Sequence, residues 1–262
     1  MDVIKVMLQI KSINGDQVEC FLSDEDEKIH LIYNSTNGKI EIDEESNLAA
    51  TICKLKFQFE KVMRSAIKGN LEPNQTINCV FIEDFRFLEE ADFNTYIRVD
   101  RRTDELQITT CKTETKDIHK IYADGSHSTE FNQSAYGGFT EDPDGTQQIY
   151  SRMIEGGSSN MMELLAVLDG LQRLQSVEKI QINTDSRFVI RGLVQWVHFW
   201  QHNNWQTAFG RDVQFSEYWQ EVNELCKGKF MEFNWIKGHS GNEKQDFCHR
   251  LAHELVNVNK KA

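Results

Sequence analysis

Between residues 180 and 200 the chain reads IQINTDSRFVIRGLVQWVHFW, and the spacing of its apolar positions changes once. Ile180 and Ile182 alternate with Gln181 and Asn183, the two-residue period of a half-buried strand. Beyond Asp185 the apolar residues fall at Phe188, Val189, Leu193, Val194, Trp196, Val197 and Trp200, close to helical spacing. Asp185 therefore stands at the carboxyl end of a strand, where a helix begins. Open α/β sheets expose that position and commonly place their chemistry there. Asp185 or Ser186 also reads as the cap of the helix that follows.

The same periodicity predicts strands over residues 3–13, 17–22, 28–33 and 39–42, separated by the turn signals Asn14-Gly15-Asp16 and Asn37-Gly38. One amphipathic helix is predicted over 47–68, with Ser46 as its N-cap and Gly69 as a left-handed C-terminal residue. Strands over 78–82, 95–99 and 106–110 close this half. The polar run CKTETKD, residues 111–117, reads as a linker, giving an α+β domain over 1–111, a linker over 112–118 and a second domain over 119–262. In the second domain, strands are expected over 119–126, 135–139 and 148–154, then a helix over 161–174 and the strand and helix of residues 180–200.

Composition adds constraints. The chain has 262 residues, 39% hydrophobic and 27% charged, an ordinary globular balance. No apolar run reaches the ~20 residues of a membrane span, and the amino terminus lacks the basic-then-apolar layout of a secretory signal. The six cysteines show no paired or zinc-like spacing, so reduced thiols and a cytoplasmic location are expected, with no membrane partner. A net charge of −12 argues against a nucleic-acid partner. The excess is uneven: residues 1–117 carry 15 basic against 23 acidic residues, and 118–262 carry 14 against 18. All five tryptophans and seven of the eight histidines lie in the second part.

The first part shows no catalytic spacing. Asp24-Glu-Asp-Glu27 and Asp43-Glu-Glu45 lack the glycine and alternating ligands of a calcium loop and read as solvated acidic turns. Lys61, Arg64 and Lys68 form a basic stripe ringed by acids. Partner binding, self-association or substrate positioning through 1–111 are the roles open to it.

In the second part Asp124 lies on the first strand, Glu163 in the first turn of the intervening helix and Asp185 at the end of the fourth strand. Taken alone, Glu163 reads as a carboxylate complementing the helix dipole. If the strands of Asp124 and Asp185 are parallel neighbours, a right-handed crossover brings the three acids together. Three adjacent carboxylates repel unless cations neutralise them, and hard oxygen ligands suit Mg²⁺ or Mn²⁺. A pair of such ions is the apparatus for in-line displacement at phosphorus.

Asp124-Gly-Ser, Ser159-Asn-Met-Met-Glu-Leu164, Thr184-Asp-Ser186, the Gln195–Trp200 tryptophan stretch with Trp205, and Trp235-Ile-Lys-Gly-His-Ser-Gly241 occur in one order. In that order and spacing, residues 119–256 resemble ribonuclease H type 1. The resemblance implies an α/β fold with a five-stranded mixed sheet, and hydrolysis of the RNA strand of RNA–DNA hybrids using two Mg²⁺ or Mn²⁺ ions. It implies that Asp124, Glu163 and Asp185 are metal ligands and that His239 is a mobile histidine assisting proton transfer or product release. It also implies nucleic-acid contacts by Ser126, Ser159, Asn160, Arg187, Trp196 and Trp200, with Asn160 near the 2′-hydroxyl. Two departures stand out. The family's fourth acid is His249 here, with Asp246 one helical turn earlier as the other candidate ligand. The family's lysine-rich protrusion is replaced by WQHNNWQTA, residues 200–208, without a lysine. Weak, salt-sensitive substrate binding is expected from that loss. A binding module with little activity, recruited through residues 1–111, is the other reading. Core packing is the expected role for most of Trp196, Trp200, Trp205 and Trp219.

Overall fold

The computed structural model describes residues 2–43, 45–103 and 106–257, so Glu44 of the second acidic cluster and the last five residues of the expected second domain lie outside it. The chain divides into two compact units, residues 1–85 with 198–214, and residues 86–197 with 215–262.

The first unit is a five-stranded antiparallel sheet carrying two helices. Strands β1 (Val3–Asn14), β2 (Gln17–Ser23), β3 (Lys28–Asn34) and β4 (Ile40–Ile42) follow the predicted alternation. Helices α1 (Asn47–Lys54) and α2 (Lys56–Lys68) come next, then β5 (Thr76–Ile82). The sheet order is β4-β3-β2-β1-β5. Leu8, Ile10, Leu22 and Leu31 form one core with Ile52, Phe59 and Met63 of the helices. Ser46 caps α1 as expected, accepting from Ala49 N at 3.2 Å. The single helix predicted over 47–68 is broken: Leu55 leaves helical geometry at φ −95, ψ 19 and is buried in the core. Nor is Gly69 left-handed. Its φ is −86, and Asn70 takes the positive φ of 62 instead. In the first acidic run Asp24 Oδ1 accepts from the backbone of Asp26 and Glu27, which is the geometry of a turn.

The second unit holds β6 (Tyr96–Asp100), β7 (Gln107–Cys111), β8 (His119–Ser128), β9 (Gln133–Glu141) and β10 (Gln147–Glu155). Helix α3 (Ser159–Arg173), β11 (Lys179–Thr184), α4 (Arg187–Arg191) and α5 (Val197–Trp200) follow, the last helix passing into the first unit. Helix α6 (Ser216–Cys226), β12 (Phe230–Trp235) and α7 (Glu243–Val256) complete it. The strands make one mixed sheet, β10-β9-β8-β11-β12-β6-β7, in which β8, β11 and β12 are parallel and the rest antiparallel. The five-stranded mixed sheet is thus present and extended at one edge. Strands β6 and β7, expected with the first half, join this sheet instead: β6 pairs with β12, aligning Ile97 and Val99 with Phe233 and Met231, and β7 pairs with β6 at the edge. Residues 112–118 are no free linker either. Thr115 donates from both its amide and its hydroxyl to Glu232, and Arg98 bonds the Thr113 carbonyl.

Strands β8 and β11 are parallel neighbours, with β9, β10 and α3 between them in the chain, which is the adjacency that brings the acids together. Helix α7 packs on β8 and β9, while α3 packs on β8, β9 and α6. The helix predicted over residues 188–200 is interrupted: its turn at Gly192–Trp196 widens into a π-helical segment between α4 and α5. Trp219 is fully buried in this unit, edge-on to Phe188, so core packing is its role. Among the described residues no helix is long and apolar enough to cross a membrane.

Candidate active site

Asp124 sits in mid-β8, its carboxylate almost wholly buried, paired across the ladder with Gly137. Glu163 lies on α3 past its first turn, not in it as predicted, because the helix starts two residues earlier: Ser158 caps it, accepting from Met161 N at 3.3 Å. Asp185 follows the last residue of β11. One ligand atom from each of these three carboxylates lies within 4.8 Å of the others. Close approach of β8 and α3 requires Gly125, where a Cβ would stand 2.5 Å from Glu163 N.

Burial, with Asp185 alongside, pushes the Asp124 carboxyl up to about 6. Burial, then Asp124 and Asp185, raise Glu163 well above the usual carboxylate range, and burial raises Asp185. Glu163 Oε2 is buried without a hydrogen-bond partner among the described residues. A buried, orphaned oxygen in a cluster of like charges is what a hard divalent cation would satisfy, so the donor set fits the ions that the sequence implied.

His249, on α7, reaches the same place. Its Nδ1 lies 3.0 Å from Asp124 Oδ2, so in this structure it partners a carboxylate. The metal-suited set found among the described residues comprises the three acids without it. Asp246, half-buried one turn earlier on α7, is not in that set either. His239 is exposed on the loop after β12, with a left-handed φ of 54, and its ring centroid is 5.0 Å from that of His249. Gly238 allows this loop to approach, since a Cβ there would meet Asp185 Oδ2 at 2.7 Å.

The remaining predicted residues are dispersed. Ser126 is half-buried on β8, and Ser159 and Asn160 are the exposed first residues of α3. Trp196 is half-buried against Phe188, edge to face, and Trp200, also half-buried, belongs to the first unit. Arg187 is already engaged. It pairs with Glu90, on a 3-10 turn before β6, and its guanidinium lies 4.2 Å from the Trp235 ring centroid and 4.8 Å from that of Phe93. Trp235 in turn donates its indole N–H to the Asp185 carbonyl at 2.9 Å. Glu90, Phe93 and Trp235 were missed as site neighbours. Trp235 stood within a quoted motif, whereas Glu90 and Phe93 carried no local signal.

Comparison with known proteins places these features. The family profile described as RNase H matches residues 116–257. Ribonuclease H of Idiomarina loihiensis is 32% identical over 141 residues, covering 54% of this chain and 88% of that protein. Ribonuclease H of Roseobacter denitrificans is 30% identical over 135 residues, 50% of this chain and 90% of that one. The Treponema pallidum ribonuclease H is 37% identical over 97 residues, and there the chain spans 57% of its length. Among solved structures, LC9-RNase H1 aligns at 21% identity and TM-score 0.47, over 57% of this chain and 76% of that one. Residues 86–111, which complete the second unit's sheet, lie outside the matched region.

Proposed function

Given that the chain belongs to the ribonuclease H family, we propose that it is an endonuclease cutting the RNA strand of RNA–DNA hybrids with two divalent ions, Mg²⁺ or Mn²⁺. The observation that carries this reading is the convergence of Asp124, Glu163 and Asp185 within the matched region. When bound, the ions supply charge neutralisation and Lewis-acid activation for displacement at phosphorus. The chain's own residues do the rest. Asp124, Glu163 and Asp185 hold the cations, and His249 orients Asp124 or completes the ligand set, with Asp246 as the alternative. His239 sits on an exposed glycine-flanked loop, a place from which an imidazole can carry a proton to or from product. Ser126, Ser159 and Asn160 line the approach from β8 and α3 and contact the nucleic-acid backbone. The six cysteines are free thiols, the state kept in a reducing compartment, and the proposal places the chain in the cytoplasm.

The experiment that tests this compares matched RNA–DNA, RNA–RNA and DNA–DNA duplexes, each with Mg²⁺ and with Mn²⁺. Cleavage confined to the RNA strand of the hybrid is the expected result, and cutting of RNA–RNA alone would reassign the substrate. A second reading, a binding module with little activity, draws on the absence of lysine from residues 200–208. Binding of hybrid without cleavage in either metal would favour it.

The fourth ligand has its own test. His249→Ala should weaken Mn²⁺ binding, measured by calorimetry, roughly 10-fold or more, the scale for losing a ligand's supporting partner. Asp246→Ala should change it little; the reverse ranking would move the role to Asp246.

A further inference from the structure

The geometry points to a phosphodiester-binding site made by Arg187 and Arg191 beside Asp185, held in this structure by the chain's own Glu90 as a stand-in for the phosphate. The inference rests on the functional reading above and adds to it where one substrate phosphate sits and what competes for that place.

Arg187 and Arg191 are four residues apart on α4, so their side chains leave the same face of the helix. Both guanidiniums converge on one carboxylate. Arg187 Nη1 donates to Glu90 Oε2, and Arg191 Nη2 donates to Glu90 Oε1 at 2.8 Å. Two oxygens on one atom, each taken by a separate guanidinium, is also how the non-bridging oxygens of a phosphodiester are received. The arginines do not depend on Glu90 for their aim. Arg187 lies over the Trp235 and Phe93 rings, and Arg191 lies 5.1 Å from the Phe93 centroid. Phe93 is buried and stands edge-on to Trp235, which makes the platform rigid. Cation–π contact with these faces holds the guanidiniums in place whichever anion they bind.

Glu90 is the displaceable partner. Its side chain is 69% exposed, and ion pairs with so wet a carboxylate are weak and screened by salt. Two arginines against one carboxylate leave a positive excess. The site is also close to the chemistry: Arg187 follows Asp185 by two residues, at most ~7 Å of chain. That is about two base-pair rises along a duplex axis. Residues 200–208 offer no lysine, so a pair of aimed arginines beside the cluster is a cationic contact the substrate can use.

The test is binding of a labelled RNA–DNA hybrid to the full chain in an Asp124→Asn background, which leaves the substrate uncut, with and without Glu90→Gln, across a salt series. Releasing the arginines should tighten binding about three- to tenfold and steepen the dependence of log K on log salt by about 0.9 per added phosphate contact. Adding Arg191→Ala to Glu90→Gln should abolish the gain. Unchanged or weaker binding by Glu90→Gln would overturn the proposal and make Glu90 a structural brace. A gain that survives Arg191→Ala would also overturn it, because it would reflect bulk charge. If native chain cuts hybrid and Glu90→Gln gains nothing, this inference fails alone; if neither protein binds hybrid, it falls with the functional reading.

Discussion

Asp124→Asn should lower cleavage of a labelled RNA–DNA hybrid by about a thousandfold or more, a loss of roughly 4 kcal/mol of transition-state stabilisation. Asparagine keeps the shape of the side chain and can still accept from Gly125 N, but it removes one of three carboxyl groups whose ligand atoms lie within 4.8 Å of one another. Charge on that carboxyl is a liability in the metal-free protein, because buried like charges repel. Melting without divalent ions should therefore show a variant at least as stable as the parent, and added Mn²⁺ should raise the parent's midpoint more than the variant's. Single-turnover cleavage and melting curves run together check both. Retained activity would remove Asp124 from the site, and a large loss of metal-free stability would recast it as a structural residue.

Glu232→Ala should be the most destabilising of the changes considered, at about 3–5 kcal/mol, the cost of stripping one member from a buried ion pair. Glu232 is fully buried on β12 and accepts from Arg98 Nε at 2.7 Å, from Gln181 Nε2 at 2.8 Å and from the hydroxyl of Thr115 at 2.6 Å. The network continues through Asn183, which takes a bond from Asn234 at 2.8 Å. Denaturant unfolding at neutral pH measures the loss. The sign with pH follows from the direction of the shift. Hydrogen bonds from Thr115, Arg98 and Gln181 outweigh burial and lower the Glu232 carboxyl. Its contribution is then complete above the unfolded value, ~4.3, and is lost as pH falls through the lower folded value. The gap between parent and variant should narrow below pH ~4. A gap constant down to pH 2 would assign the loss to the cavity rather than the charge.

Residues 96–111 show why part of the fold escaped the sequence. The alternation of Ile97 and Val99 identified a strand, but alternation fixes which face is buried, not which neighbour it buries against. Pairing with β12, more than a hundred residues later, is a long-range decision. Leu55 shows the local counterpart. Nothing in its helix propensity marks a break, yet the residue leaves helical geometry while its side chain stays in the core.

The stretch at Asp185 contains both kinds of information. Its change of period, from two to near 3.6, determined a strand followed by a helix, and the spacing of Asp124, Glu163 and Asp185 determined that three acids could meet, because periodicity and motif order are properties of the chain itself. The surroundings of Asp185 came from the tertiary structure alone. Trp235 holds its carbonyl, Gly238 packs against its carboxylate, and Glu90 reaches the arginines that follow it, each from a segment far away in sequence. Hydrogen bonds and ion pairs act over a few ångströms, and only the folded sheet brings those partners within that range.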